Sequence, residues 1–328
     1  MQKYRCDRGG SSGGIIERLD VNIMKYLIIG AGGTGGPLGF YLTKAGKDVT
    51  LIARGAHLKA LNEQGLTMER LWNGTTETIP VKAVDMEHYD EQPDVILVCV
   101  KGYSLDDTVP FIRKAMKKNT IVIPILNIYG TGGRLQKQLP EILVTDGCIY
   151  VAAAIKEPGV LEQYGKVLSL VFGVRDQAET RPELEEIRAD LESCGIRALL
   201  SQHIQRAALE KFSYVSPIGA AGLYYNATAS DFMKEGAPRE SFKEMIREIG
   251  ALAEAMGHPF HKDMVTRNLE VLSTLAPEAT TSMQRDVMAG KSSEIDGLVY
   301  EVVRLGKEYD VPVPEYEKVA AKLSKELK

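Results

Sequence analysis

The chain has 328 residues, enough for about two domains with a substantial core in each. Forty Lys plus Arg stand against forty-four Asp plus Glu, a net charge of −4 with no long like-charge run, which argues against a general nucleic-acid binder or a basic membrane-surface protein. Hydrophobic residues make up 44% and charged residues 26%, an ordinary globular balance, and no stretch approaches the ~20 apolar residues that span a bilayer.

Residues 1–23 carry a Gly/Ser cluster and no apolar core between a basic start and a cleavage site, so they do not read as a signal peptide. The patterned chain opens at Met24, and residues 1–23 are expected to be an overlong start or a disordered tail. Cys6, Cys99, Cys148 and Cys194 are too dispersed for a CxxC metal pair or a dense disulfide frame, which points to a reduced, cytoplasmic setting.

Lys25–Ile29 is a short apolar run that stops at glycine, the pattern of a buried parallel strand. Gly30-Ala31-Gly32-Gly33-Thr34-Gly35-Gly36 follows, and then an apolar-spaced helix expected over Pro37 to Gly46. This is GxGxxG between a strand and a helix. Gly30 permits the tight turn, Gly32 lets backbone N–H groups approach a pyrophosphate, and Gly35 lets helix and strand pack closely. With Ala31, Gly33 and Thr34 between them, residues 30–35 form the candidate dinucleotide cradle of a Rossmann-type fold.

A second strand is expected over Asp48 to Ala53. An NAD-specific fold would end it on Asp or Glu to hold the ribose 2′-hydroxyl; this chain places Arg54 there, with His57 and Lys59 close behind. A guanidinium pairs with a 2′-phosphate that a carboxylate would repel, so NADP(H) is favoured over NAD. The alternative for Arg54 is a solvated surface charge. Strands over Asp94–Val100 and Thr120–Leu126, with a helix over Asp106–Lys117 between them, imply a mostly parallel sheet covered on both faces. Ligands in such sheets lie beyond the carboxyl ends of the strands, which singles out Lys101 and Asn127. On position alone, Lys101 could equally be a strand-end surface lysine. Cys148–Ala154 and Val167–Phe172, around the turn Glu157-Pro158-Gly159, are expected to extend the same sheet in antiparallel fashion. A further helix is expected over residues 181–194.

Beyond residue 200, helical spacing takes over. One long helix is expected from Gln202 to Tyr225, kinked or loosened by Pro217 and Gly219. Others are expected over Glu240–Met256, Ser282–Met288 and, after a break near Gly290, Glu294–Tyr309, the last capped by Ser293. The organisation is thus a dinucleotide-binding α/β domain over 24–200 and an all-helical C-terminal domain over 201–328. Five dispersed histidines without HExxH spacing make a metal site unexpected. There is no GxSxG elbow, and Gly290-Lys291-Ser292 imitates a Walker A ending with Arg285 where its first glycine belongs.

Taken in order, these segments resemble the ketopantoate reductase family of NADP-dependent 2-keto-acid reductases, within the 6-phosphogluconate dehydrogenase-like superfamily. The resemblance covers roughly residues 24–325. It rests on GAGGTGG at 30–36, Val49–Arg54, Val100-Lys101, the Asn127 loop, Glu157–Val160, Leu209–Phe212, Ser282–Asp286, Glu294–Gly297 and Val311–Pro314. It implies that Lys211 is the general acid, Glu294 its partner near substrate and cofactor, and Ser282 a ligand of the substrate carboxylate. It also implies Asp286 on the substrate side, with Asn127 and Lys101 beside the nicotinamide and the substrate. Without the resemblance, Lys211 could be one half of a solvated Glu210–Lys211 pair.

Departures bear on the substrate. The family usually has asparagines four and eight residues after the lysine and three before the serine; here these are Val215, Gly219 and Ala279. Tyr129, Tyr214 and Ser216 are candidates to supply the missing polar contacts. The expected activity is NADPH-dependent reduction of a small 2-keto acid, with ketopantoate the best single substrate. A D-2-hydroxyacid dehydrogenase acting on a more apolar 2-keto acid is the close alternative, and a non-catalytic NADP-binding sensor the rival from another class. A homodimer is expected from the resemblance, and neither nucleic acid nor membrane is an expected partner.

Overall fold

In the computed structural model, residues 24–326 are described, and the tail expected over residues 1–23 lies outside them. The chain runs β1 (Lys25–Ile29), α1 (Gly35–Lys44), β2 (Asp48–Ile52), α2 (Gly55–Gln64), β3 (Leu66–Arg70), β4 (Thr75–Ile79) and β5 (Lys82–Val84). Next come β6 (Val95–Val98), α3 (Val109–Ala115), β7 (Ile121–Pro124), α4 (Thr131–Gln138), β8 (Leu143–Val144), β9 (Asp146–Glu157), β10 (Val160–Gly173), α5 (Pro182–Ser193) and β11 (Arg197–Leu200). Then only helices follow: α6 (Ile204–Tyr225), α7 (Ala229–Met233), α8 (Ala237–Ala255), α9 (Met264–Ser273), α10 (Ser282–Met288), α11 (Glu301–Glu308) and α12 (Pro314–Glu326). No helix among the described residues is long and apolar enough to cross a membrane.

Six strands form an all-parallel sheet in the order β5-β2-β1-β6-β7-β8. Successive residues of a strand point to opposite faces, and β1 shows why both faces are apolar. Tyr26 and Ile28 join the cluster that includes Leu38 and Leu170, while Leu27 and Ile29 join the cluster around Ile112 and Leu135. The strands therefore read as continuous apolar runs, and their carboxyl ends line up along one edge of the sheet.

The hairpin of β9 and β10 departs from the expected extension of this sheet. It belongs to a second, five-stranded sheet in which β10 pairs with β9 antiparallel and with β3 and β11 parallel, and β3 pairs with β4. The reason is the length of β10. Its first half pairs with β3 through Val160–Gln163 and its second half with β11 through Ser169–Phe172, so it fastens two segments that lie outside the parallel sheet. The first helix begins at Gly35, two residues before Pro37, and α8 begins at Ala237 because Pro238 suits a first turn whose N–H needs no partner.

Pro217 does not interrupt α6, which runs unbroken from Ile204 to Tyr225. Proline has no N–H to give the carbonyl four residues back, which is that of Ser213. Asn268 of α9, only 2% exposed, fills the gap: its amide donates to the Ser213 carbonyl at 2.9 Å and to the Ser213 hydroxyl oxygen at 3.1 Å. The Ser213 hydroxyl in turn donates to the Glu210 carbonyl at 2.7 Å. The break at Gly290 is present, with φ +63°. The capping role expected of Ser293 is not: the turn after Glu294 is a wide π-type turn over Asp296–Tyr300 with no side-chain cap.

Candidate active site

The glycine turn shows a division of labour among its residues. A β-carbon on Gly30 would come 2.9 Å from the Cys99 carbonyl oxygen, and one on Gly35 2.1 Å from the Gly30 carbonyl oxygen. Both are held to glycine by close packing, and Gly30 adds a φ of +104°. A β-carbon on Gly33 would lie 2.3 Å from the Ala153 carbonyl oxygen, so β9 crosses directly over the turn. Gly32 alone among these four faces open space, with nothing within 4 Å. An open, side-chain-free position ahead of a helix N-terminus is what a dinucleotide pyrophosphate requires, and the residues present fit a nicotinamide dinucleotide. Ala31 is buried and Thr34 sits at the helix start.

Arg54 lies two residues beyond β2, immediately before α2, is exposed, and its guanidinium meets no partner among the described residues. Its two expected companions are placed otherwise. Lys59 faces Glu63 one helical turn on, at 3.9 Å. His57 turns inward: its Nε2 lies 3.0 Å from the Ala31 carbonyl oxygen, and its Nδ1 accepts the Gly159 N–H at 3.1 Å. Burial holds its pKa below the usual imidazole value.

Lys211, expected as half of a solvated pair or as an acid, is buried on α6, 9% exposed. Its ammonium donates to Asn127 Oδ1 at 2.7 Å and lies 6.0 Å from the centre of the Tyr150 ring on β9. Burial lowers its pKa below the ordinary lysine value, and the neighbouring Glu294 carboxylate only partly offsets this. The same burial pushes the Cys148 thiol up to about 11, so this sulfur is no resident thiolate. Asn127 Oδ1 accepts one of the three ammonium N–H groups and leaves others to address a ligand.

Glu294 does not hold Lys211. It is 5% exposed, and its Oε1 accepts the Gly102 N–H at 3.1 Å while Oε2 meets the Lys101 ammonium at 3.2 Å. Lys101 also pairs with Asp286 at 3.0 Å. The competition is geometric: Lys101 lies three residues beyond β6, beside Glu294, and takes both carboxylates. Burial alone would lower the Lys101 pKa; Glu294 and Asp286 outweigh it and raise the value. One cation from the loop after β6 thus clasps two carboxylates of the C-terminal region, Asp286 on α10 and Glu294 just ahead of the wide turn. Gly102 and Gly297 make the approach possible, since β-carbons there would lie 2.0 and 2.3 Å from Ile128 Cδ1. Ser282 is the half-buried first residue of α10, and no described residue engages its hydroxyl.

The substituted asparagine positions are apolar in three dimensions too. A β-carbon on Gly219 would stand 2.7 Å from Met283 Cε, so Met283 fills the space a longer side chain would need. Val215 and Ala279 pack at the margin of the helical core. Ser216 does not compensate: it is fully buried and donates to the Leu298 carbonyl at 2.5 Å. Tyr214 stacks edge-on against Phe242 and Tyr129 tilts against Phe212.

Two residues escaped the sequence reading. Asp146, at the start of β9, pairs with Arg175 at 3.2 Å beneath the N-terminus of α4. A β-carbon on Gly132 would lie 2.0 Å from Asp146 Oδ1, so helix and carboxylate are in contact. Burial raises the Asp146 pKa, with Arg175 and the Gly132 and Gly133 N–H groups pulling against it. The pair anchors the loop that carries Asn127. Nothing local in the sequence marks either residue, because they meet across 29 positions.

An open glycine cradle at a sheet's carboxyl edge, joined by β9 to a buried lysine with an amide acceptor, defines a nicotinamide-dependent oxidoreductase. The chain belongs to the ketopantoate reductase family: the ketopantoate reductase PanE/ApbA model matches residues 26–177 and its C-terminal counterpart residues 203–326. It is 27% identical to a 2-dehydropantoate 2-reductase of Pyrococcus horikoshii over 296 residues, 89% of this chain and 93% of that one. Its fold matches a D-mandelate dehydrogenase in ternary complex with NADH and anilino(oxo)acetate, at TM-score 0.82 and 21% identity over 90% of this chain and 96% of that one. A dimeric ketopantoate reductase of Staphylococcus aureus matches at TM-score 0.78 and 20% identity, over 92% and 98% of the respective chains.

Proposed function

We propose that the protein is an NADPH-dependent reductase of a 2-keto acid, with ketopantoate as its first substrate to try. The observation that carries this reading is the buried Lys211 ammonium, held by Asn127 and linked by β9 to the glycine turn. When bound, the nicotinamide cofactor supplies the hydride. Hydride addition to a ketone builds negative charge on the carbonyl oxygen, and Lys211 stabilises that charge and delivers the proton from Nζ. Its lowered pKa makes the proton easier to give. Asn127 fixes the direction of the ammonium. Ser282, with its hydroxyl free, takes the substrate carboxylate, and Glu294 and Asp286, through Lys101, fasten the helical side of the site to the cofactor side. Arg54 takes the 2′-phosphate, and the dimeric relative supports a homodimer.

A second reading has its own observation. Met283 occupies the room a polar side chain at position 219 would need, which favours a 2-keto acid with an apolar substituent, reduced to the D-2-hydroxy acid. Each polar partner missing around a substrate hydroxyl costs about 1–3 kcal/mol of recognition. NADPH oxidation by the purified protein, followed optically with ketopantoate and with phenylglyoxylate, separates the two. Preference for ketopantoate supports the first reading and preference for phenylglyoxylate the second; turnover of neither refutes both.

A further inference from the structure

His57 is bonded at both ring nitrogens, and the partners decide its protonation. The Gly159 N–H can only donate, so Nδ1 is the acceptor and Nε2 carries the hydrogen that it donates to the Ala31 carbonyl. The ring is a neutral imidazole in a single tautomer. It joins three segments that are far apart in sequence: α2, the glycine turn, and the tip of the β9–β10 hairpin. The hairpin tip is itself seated on α2, because a β-carbon on Gly159 would lie 3.0 Å from Ala60 Cβ.

The bond to Ala31 has a directional consequence. In a trans peptide the carbonyl of one residue and the N–H of the next point in opposite directions. Holding the Ala31 carbonyl toward α2 therefore aims the Gly32 N–H away from α2, and Gly32 is the position of the turn that faces open space. The Gly32 carbonyl is fixed as well, since it accepts the Gly36 N–H at 2.7 Å.

We propose that His57 is a positioning residue of the cofactor site, which sets the Gly32 N–H toward the pyrophosphate of the dinucleotide and has no part in binding the 2′-phosphate. This rests on the cofactor reading of the glycine turn. The experiment measures binding to the full-length protein of NADPH, by nucleotide fluorescence, and of adenosine 2′-monophosphate, by displacement of NADPH. The latter carries the adenine and the 2′-phosphate but no pyrophosphate.

His57→Ala is expected to weaken NADPH by about tenfold, the loss of one well-placed hydrogen bond, and to leave adenosine 2′-monophosphate unchanged. His57→Gln, whose amide nitrogen reaches the place of Nε2, is expected to restore most of the NADPH affinity. His57→Asn, which replaces only the Nδ1 end, is expected not to. Equal NADPH binding by wild type and His57→Ala would overturn the proposal. So would a parallel loss for both ligands, or equal rescue by Gln and Asn. A wild-type protein that binds neither NADPH nor NADH would strike the cofactor reading itself, a result distinct from any difference between variants.

Discussion

Replacing Asn268 with Ala removes the donor that stands in for the missing Pro217 N–H. The Ser213 carbonyl is left buried without a partner, because Asn268 is 2% exposed and Ser213 fully buried. An orphaned buried acceptor costs about 1–3 kcal/mol. For a chain of this size each kcal/mol lowers the melting temperature by roughly 2–4 °C, so Asn268→Ala should melt roughly 2–12 °C below wild type. Pro217→Ala returns an N–H to the helix and gives the Ser213 carbonyl a backbone partner. In that background Asn268→Ala should cost at least about 1 kcal/mol less, a coupling that a double-mutant cycle reads directly. Urea midpoints and thermal melts of the four proteins supply the cycle. Equal losses from Asn268→Ala in both backgrounds would make Asn268 an ordinary packing residue with no part in replacing the missing N–H.

Two further predictions concern the site. Arg54→Glu should weaken NADPH by about 10- to 100-fold while changing NADH by no more than about threefold, because only NADPH carries the 2′-phosphate; a matched loss for both cofactors would remove Arg54 from that role. The reduction rate should fall as pH rises through the lowered Lys211 pKa, since the ammonium is the acid, with a midpoint below the ordinary lysine value of 10.5. Asn127→Ala removes an acceptor that favours the charged amine, so the midpoint should move lower still. A midpoint that moves up in the pH–rate profile would contradict the assignment.

Much of the parallel sheet is legible because its central strands β1, β2, β6 and β7 are short apolar runs buried on both faces. β1 and β2 are the clearest cases. The second sheet is hidden because β3 and β4, Leu66–Arg70 and Thr75–Ile79, are short and rich in Thr, Glu and Arg, with only every other residue inward in β3. Their pairing through β10 is a tertiary fact that no local pattern carries. In the site, Lys101, Asn127, Lys211 and Glu294 are found near one another, yet the expected Lys211–Glu294 pair is replaced by Lys211–Asn127 and Lys101–Glu294. Sequence order ranks candidates by charge; it does not say which cation is nearer. His57 shows the same limit, since its spacing from Arg54 suggests a shared ligand while its ring is taken up by the Ala31 carbonyl and the Gly159 N–H. Asn268 has no sequence signal except Pro217, whose missing donor demands some partner.

If Lys211 is the acid of a reductase whose cofactor site stands independently of it, its loss must remove turnover and spare the cofactor. The most direct measurement is Lys211→Ala, assayed for NADPH oxidation with the preferred 2-keto acid and for NADPH affinity by fluorescence. Turnover should fall by about 10²- to 10⁴-fold, the usual contribution of a general acid, with NADPH affinity unchanged within about twofold. Turnover at the wild-type rate would contradict the account.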